Sequence, residues 1–198
     1  MLELTTGLGL AASAGLNAWI PLLVLGLLAR YTDLITLPAS WEWLTNGWVL
    51  TVLAILLAVE VVADKIPVVD SVNDVLQTVI RPTSGGLVFA AGSSSETVTV
   101  TDPGELFDDR GWVPIVIGVV IALVVHAGKA VVRPVINTMT AGVGAPVVST
   151  AEDTTSVLMS LAAIVVPILV IGFLIGLVAL WWWALRRRRR RRQLPRPT

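Results

Sequence analysis

No cysteine occurs in the chain, and there is a single histidine. The first absence excludes disulfides, thiolate metal sites and cysteine nucleophiles. The second excludes a histidine-rich metal centre unless carboxylates supply the remaining ligands. Charge is scarce as well: 14% of residues are charged, against roughly 25% in soluble domains. The net charge of zero hides an asymmetry, because half of the 14 basic residues sit in one run of arginines at 186–192.

What fills the chain instead is apolar. Hydrophobic residues make up 55% of it, and its mean hydropathy is +0.83. No charge occurs between residues 4 and 29, a length that suffices for a ~30 Å hydrocarbon core. Glu3 replaces a basic leader region and no small-residue cleavage site precedes Arg30, so this stretch reads as a retained first span rather than a signal peptide. Its first half is small and polar-tolerant (Gly7, Gly9, Ser13, Gly15, Asn17), which suits close helix packing, and Pro21 predicts a kink. A second span is expected from about Trp48 to Val62, after a loop that carries Trp41, Trp43 and an Asn46-Gly47 turn. A third covers about Trp112 to Val132, and a fourth lies within the uncharged run 154–185. Ser149 and Glu152 have capping-box spacing for its start. The tryptophans at 181–183 followed by the arginine run place the C-terminus in the cytoplasm by the positive-inside rule.

The expectation is therefore an all-α, polytopic membrane protein with about four transmembrane helices and two re-entrant or interfacial helical hairpins. Its organisation reads as a first membrane half (1–92), a hydrophilic loop (93–111), a second membrane half (112–185) and an arginine-rich tail (186–198). The first hairpin spans 60–86. Asp70, Asp74, Gln77 and Arg81 recur there on one helical face, opposite Val68, Val72, Val75, Leu76 and Val79. Pro82 followed by Thr-Ser-Gly-Gly predicts that this helix stops at Arg81. A full span through 66–90 would carry three charges at roughly 2.5–3.5 kcal/mol each near the bilayer centre, which favours a hairpin. In the second half His126, Lys129, Arg133 and Asn137 share one face, before a short excursion to Pro146. Glu60 to Pro82 and His126 to Pro146 are similar separations, which suggests an inverted repeat around a midplane site.

Ionisable groups at membrane depth point to a site. The candidates for substrate or ion binding are Glu60, Asp64, Lys65, Asp70, Asp74, Arg81, His126, Lys129 and Arg133. For Asp70, Asp74 and Arg81 the alternative is the solvated face of an interfacial helix. Glu60 and Asp64 read either as a proton-carrying pair with raised pKa values or as ion-pair partners of Lys65 or Lys129. His126, Lys129 and Arg133 can hold a phosphate or carboxylate, or simply snorkel to an interface. Glu152 and Asp153 read as helix-start residues favoured by the macrodipole. No metal or cofactor is expected, and Gly85-Gly86 lacks the strand and Gly-Lys-Ser context of a phosphate loop. Arg-Pro and Ser-Gly near a lysine resemble type-2 lipid phosphatases, but that chemistry needs histidines and His126 is far from Ser84, so no enzyme is expected.

The segments 15–23 (GLNAWIPLL), 63–70 (ADKIPVVD), 80–86 (IRPTSGG), 126–130 (HAGKA), 149–153 (STAED) and 164–169 (IVVPIL) carry a resemblance. In that order the chain resembles a bacterial integral-membrane family known as domain of unknown function 4126; the arginine tail lies outside the shared pattern. The resemblance implies a multi-pass protein of the bacterial plasma (inner) membrane and little about activity. The leading functional expectation is a small transporter or lipid translocator for an anionic or amphipathic substrate, with proton coupling through its carboxylates. The alternative is a structural or assembly membrane protein whose hairpins are interfacial. Expected partners are the lipid bilayer, anionic headgroups at the arginine tail and further copies of the chain in a homo-oligomer, with no nucleic acid.

Overall fold

The computed structural model describes residues 2–98, 111–172, 175, 176 and 179; the side chains of 67, 68, 70–72 and 74 lie outside that description. Its helices are α1 (Leu2–Leu16), α2 (Trp19–Tyr31), α3 (Gly47–Ala63), α4 (Pro67–Ser93), α5 (Trp112–Met139) and α6 (Ala145–Val165). Two short strands, β1 (Ile35–Thr36) and β2 (Glu96–Thr97), pair antiparallel, Ile35 opposite Thr97. A 3-10 helix covers Ala39–Thr45.

The bundle is organised around α1, which packs against α4, α5 and α6. Its small residues make that possible. Thr5, Thr6, Gly7, Gly9, Leu10, Ala11, Ala12, Ser13, Ala14 and Gly15 are all buried, so the helix is enclosed on every side. Ser13 locks it to α6, meeting the hydroxyls of Ser156 and Ser160 at 2.7 Å each.

The break expected at Pro21 lies earlier, at Asn17-Ala18. Asn17 Oδ1 accepts from the backbone N–H groups of Trp19 (3.1 Å) and Ile20 (3.2 Å), so it caps α2 as Asn commonly does. Pro21 then falls in the first turn of α2, where its missing N–H costs nothing. Stretch 4–29 is thus two short helices and not one kinked span.

The first hairpin is also corrected. The chain turns at Asp64-Lys65-Ile66, and Pro67 opens α4 at its first position. From there α4 runs without a stop through Pro82 to Ser93. An internal proline costs about 3 kcal/mol in lost hydrogen bonding and steric conflict, so tertiary packing must favour the continued helix. That packing is visible at the glycines. A Cβ on Gly85 would stand 2.3 Å from Ala122 Cβ, and one on Gly118 would stand 2.2 Å from the Gly85 carbonyl oxygen. The Ser-Gly-Gly segment that reads as a turn is the flat face on which α4 meets α5.

The second hairpin fails in the same way. α5 continues through Pro134 to Met139, and the reversal uses Ala141 (φ 50°) and Gly142 (φ 86°). α6 then begins at Ala145, one turn before the expected Ser149 cap, with Pro146 in its first turn. It ends at Val165, so the uncharged run 154–185 is interrupted at Val166-Pro167. Much of the rest of that run, Trp181 to Trp183 and the arginine tail lie outside the described residues, as do residues 99–110 of the acidic loop.

Four complete spans therefore do not form among the described residues. Among the described residues α5 is the one helix long and apolar enough to cross a membrane. Counting the 3-10 helix and α3 as a single bent element, with 61° between them, raises the number to two. α1 and α2 have 15 and 13 residues, and α4 and α6 carry their charges inside the helix. The described helices do not form the four-span topology with re-entrant hairpins and an inverted repeat. The multi-pass inner-membrane placement, the partnership with bilayer and anionic headgroups, the transporter or translocator reading and its membrane-scaffold alternative all depend on that architecture and are overturned with it.

Candidate functional site

Breaking α1 from α2 leaves the last carbonyls of α1 without intrahelical donors, at the negative end of the helix dipole. Cations from other helices fill this place. Lys129 Nζ donates to the Leu16 carbonyl at 3.2 Å, and Arg81 Nη1 approaches the Gly15 carbonyl at 3.5 Å. Ser84 Oγ donates to the Ala18 carbonyl at 2.5 Å. The helix break is held by side chains of α4 and α5.

Those cations bring carboxylates with them. On α3, Glu60 and Asp64 lie one turn apart and face inward. Glu60 Oε1 accepts from Arg81 Nη2 at 2.8 Å, with the two residues 2% and 0% exposed. Asp64 Oδ2 meets Arg133 Nη2 at 2.9 Å, Lys129 Nζ at 3.2 Å and Arg81 Nη2 at 3.8 Å, while Asn73 donates to its Oδ1 at 2.9 Å. From α6, Glu152 pairs with Lys129 at 3.1 Å and receives both Nε and Nη2 of Arg133, a fork that lysine cannot reproduce. Asp153 is held by the Asn17 amide at 2.9 Å.

His126 completes the arrangement, and its tautomer follows from its neighbours. Arg81 Nη1 lies 3.2 Å from His126 Nδ1, and a guanidinium only donates. Nδ1 is therefore the acceptor, and Nε2 carries the proton that it donates to Thr78 Oγ1 at 3.1 Å. Burial, together with Arg81 and Lys129, pulls the imidazole from its ordinary 6.5 down to about 4, so it stays neutral.

The carboxylates divide. Burial pushes Glu60 above its ordinary 4.5, and the nearby Arg81 only partly offsets this. Burial acts on Asp64 too, but Lys129, Arg133 and Arg81 outweigh it and hold Asp64 below its ordinary 3.8. Asp153 is raised by burial, against the Asn17 hydrogen bond. Burial disfavours the Arg133 charge, yet Glu152 and Asp64 more than compensate and drive its pKa up. Among the described residues, four buried side-chain atoms have no hydrogen-bond partner: Glu60 Oε2, Gln77 Oε1, Arg81 Nε and Ser149 Oγ.

Of the residues singled out from sequence, Glu60, Asp64, Arg81, His126, Lys129 and Arg133 meet in this one centre. Lys65 makes no ion pair within it among the described side chains; its ammonium caps the Val61 carbonyl of its own helix at 3.0 Å, and its charge reaches Asp153. The side chains of Asp70 and Asp74 lie outside the described residues. Glu60 and Asp64 do not behave as a matched pair, because their pKa values move in opposite directions. Glu152, Asp153, Asn17, Asn73, Gln77 and Thr78 belong to the centre or border it, and sequence reasoning did not place them there. For Glu152 a signal existed: Ser149, Glu152, Ser156 and Ser160 fall on one face of α6. A surface cavity of about 340 Å³ between α2 and the 3-10 helix, lined by Arg30, Asp33 and Glu42 among others, shares no residue with the centre.

The family described as Domain of unknown function (DUF4126) matches residues 4–187. The chain belongs to that family. No curated protein and no solved structure matches it.

Proposed function

We propose that this DUF4126 protein is a non-catalytic, proton-responsive helical protein, in which Glu60 takes up the proton and Arg81 reports it to the helix break. The observation that carries this reading is the Glu60–Arg81 pair. It is buried, yet it uses one oxygen of the carboxylate and leaves both Glu60 Oε2 and Arg81 Nε without partners. Each such unsatisfied group costs about 1–3 kcal/mol.

Burial supports the same reading. Glu60 is enclosed, and desolvation outweighs its pairing with Arg81, so in this low-dielectric interior its charge is relieved by binding a proton. Glu60 and Asp153 are the two carboxyls with raised pKa. Once Glu60 is protonated, Arg81 is held less tightly and other acceptors lie within reach, Asp64 Oδ2 at 3.8 Å and the Gly15 carbonyl at 3.5 Å. Buried ionic clusters are seldom the most stable way to fill a core, which favours a role beyond stability.

The test is thermal unfolding of wild type and Glu60→Gln across pH. A carboxyl with a raised folded pKa binds its proton more tightly in the native state than in the unfolded one. Its contribution is complete below the unfolded value of 4.5 and is lost as pH rises through the folded value. Relative to Glu60→Gln, wild-type stability should fall across that window at up to about 1.4 kcal/mol per pH unit, on a background that His126, with its folded pKa of about 4 against 6.5 unfolded, tilts the other way. Glu60→Gln should therefore remove the Glu60 share of the slope, and adding Asp153→Asn the Asp153 share. Identical pH slopes in wild type and Glu60→Gln would sink the proposal.

A further inference from the structure

Arg81 is wholly buried, and its guanidinium is only partly used. Nη1 is committed to His126 Nδ1 and the Gly15 carbonyl, and Nη2 to one oxygen of Glu60, while Nε has no partner. The Nε–Nη2 edge can donate to both oxygens of a carboxylate side by side. One turn earlier on α4, Gln77 presents a buried Oε1 that is also without a partner. On the facing side stands the bare Oε2 of Glu60.

The groups around Glu60 fix what can bind there. On α3 there is Asp64; on α4, Arg81, with Gln77 and Asn73 as polar neighbours; on α5, His126, Lys129 and Arg133; on α6, Glu152 and Asp153. α1 contributes only the Gly15 and Leu16 carbonyls. Lys129 and Arg133 are already paired with Asp64 and Glu152, so Arg81 is the one cation of the three with an unfilled donor edge. If Glu60 is neutralised by a proton, one negative charge leaves the centre, and one monoanion restores it. A dianion would add a surplus charge beside Asp64. A planar ligand matches the fork.

We infer that the Nε–Nη2 edge of Arg81 is a binding site for a small planar monoanion of the carboxylate kind, taken up together with one proton on Glu60. This rests on the proton-responsive reading above and adds the ligand class and its linkage. The protonated Glu60 becomes a donor and supplies a further hydrogen bond to the incoming oxyanion, while Arg81 supplies two.

The experiment is calorimetric titration of the full chain with sodium formate, in buffers of different ionisation enthalpy, below and above the folded pKa of Glu60. The expected result is one formate per chain. Above that pKa, uptake should approach about one proton per formate and the affinity should fall roughly tenfold per pH unit; below it, both dependences should vanish. Inorganic phosphate should bind more weakly than formate. Glu60→Gln, which mimics the protonated state, should bind formate without proton uptake and without pH dependence, and Arg81→Lys should lose binding. Absence of formate binding, or binding above the pKa without proton uptake, overturns this inference even if the Glu60-dependent stability profile is present. Absence of that profile overturns the proton-responsive reading itself, so the two failures are distinct.

Discussion

Replacing Asp64 by Asn tests whether the charge centre holds the bundle together. Asp64 is buried and sees three cations, at 2.9, 3.2 and 3.8 Å, with an amide donor at 2.9 Å. Removing one partner of a buried ion pair usually costs about 3–5 kcal/mol, because the other charge is left uncompensated. Here the loss is moderated, since Glu152 still serves Lys129 and Arg133 and Glu60 still serves Arg81. Asn also keeps the side-chain shape. The expected cost is therefore about 3 kcal/mol, toward the lower end of that range. Equilibrium urea denaturation followed by helical circular dichroism would read it as a lower midpoint at unchanged slope. The pH dependence supplies a second check. Asp64 has a folded pKa below 3.8, so its contribution is present above that unfolded value and is lost as pH falls through the folded one. Asp64→Asn should lack that acid limb. A penalty under about 1 kcal/mol, the size of a surface ion pair, would refute the claim that these charges act in a dry interior.

Two further substitutions probe the frame around the centre. Gly118→Ala places a Cβ 2.2 Å from the Gly85 carbonyl and 2.6 Å from Phe89 Cβ; because a backbone atom is in the way, the cost should lie at the upper end of the 1–3 kcal/mol of overpacking, seen as a lowered melting temperature. Asn17→Ala removes the cap of α2 and the amide on Asp153. It should cost about 1–2 kcal/mol and raise the Asp153 pKa further, a change that carboxyl carbon chemical shifts would follow with pH.

The all-α character and the composition of the centre were largely legible in the sequence, whereas the course of the chain was not. His126, Lys129 and Arg133 announce a single face by their spacing, and the structure buries all three. The same holds for Glu60 with Asp64. Asp-Lys-Ile-Pro contains the true turn, with Pro67 at the first helical position. Local rules instead favoured Arg-Pro-Thr-Ser-Gly-Gly, because the penalty of Pro82 is visible in one segment and the compensating contact with Gly118 and Ala122 is not. Hydropathy counting failed for a related reason. It measures how apolar a stretch is, and says nothing of whether a charge such as Glu152 points at a cation on another helix. Asn17 is the clearest case: its role as a cap depends on a break that Pro21, a stronger local signal, drew to the wrong place.

The helix break and the charge centre depend on each other, and this gives the proton a route to the rest of the bundle. An unsatisfied carbonyl in a dry interior costs about 1–3 kcal/mol, so the end of α1 needs the donors that Lys129 and Arg81 provide. Those cations in turn can be buried only beside Asp64, Glu152 and Glu60. On the proposed reading, a proton on Glu60 would change more than one ion pair: it would loosen the hold on Arg81, shift that guanidinium's share toward the Gly15 carbonyl and Asp64, and alter the support of the one helix that packs against α4, α5 and α6 together. Glu60 itself sits on α3, the helix with the fewest buried side chains among those described that form the centre. On the proposed reading, the element that carries the proton is the least anchored, and the element that receives the effect is the most enclosed.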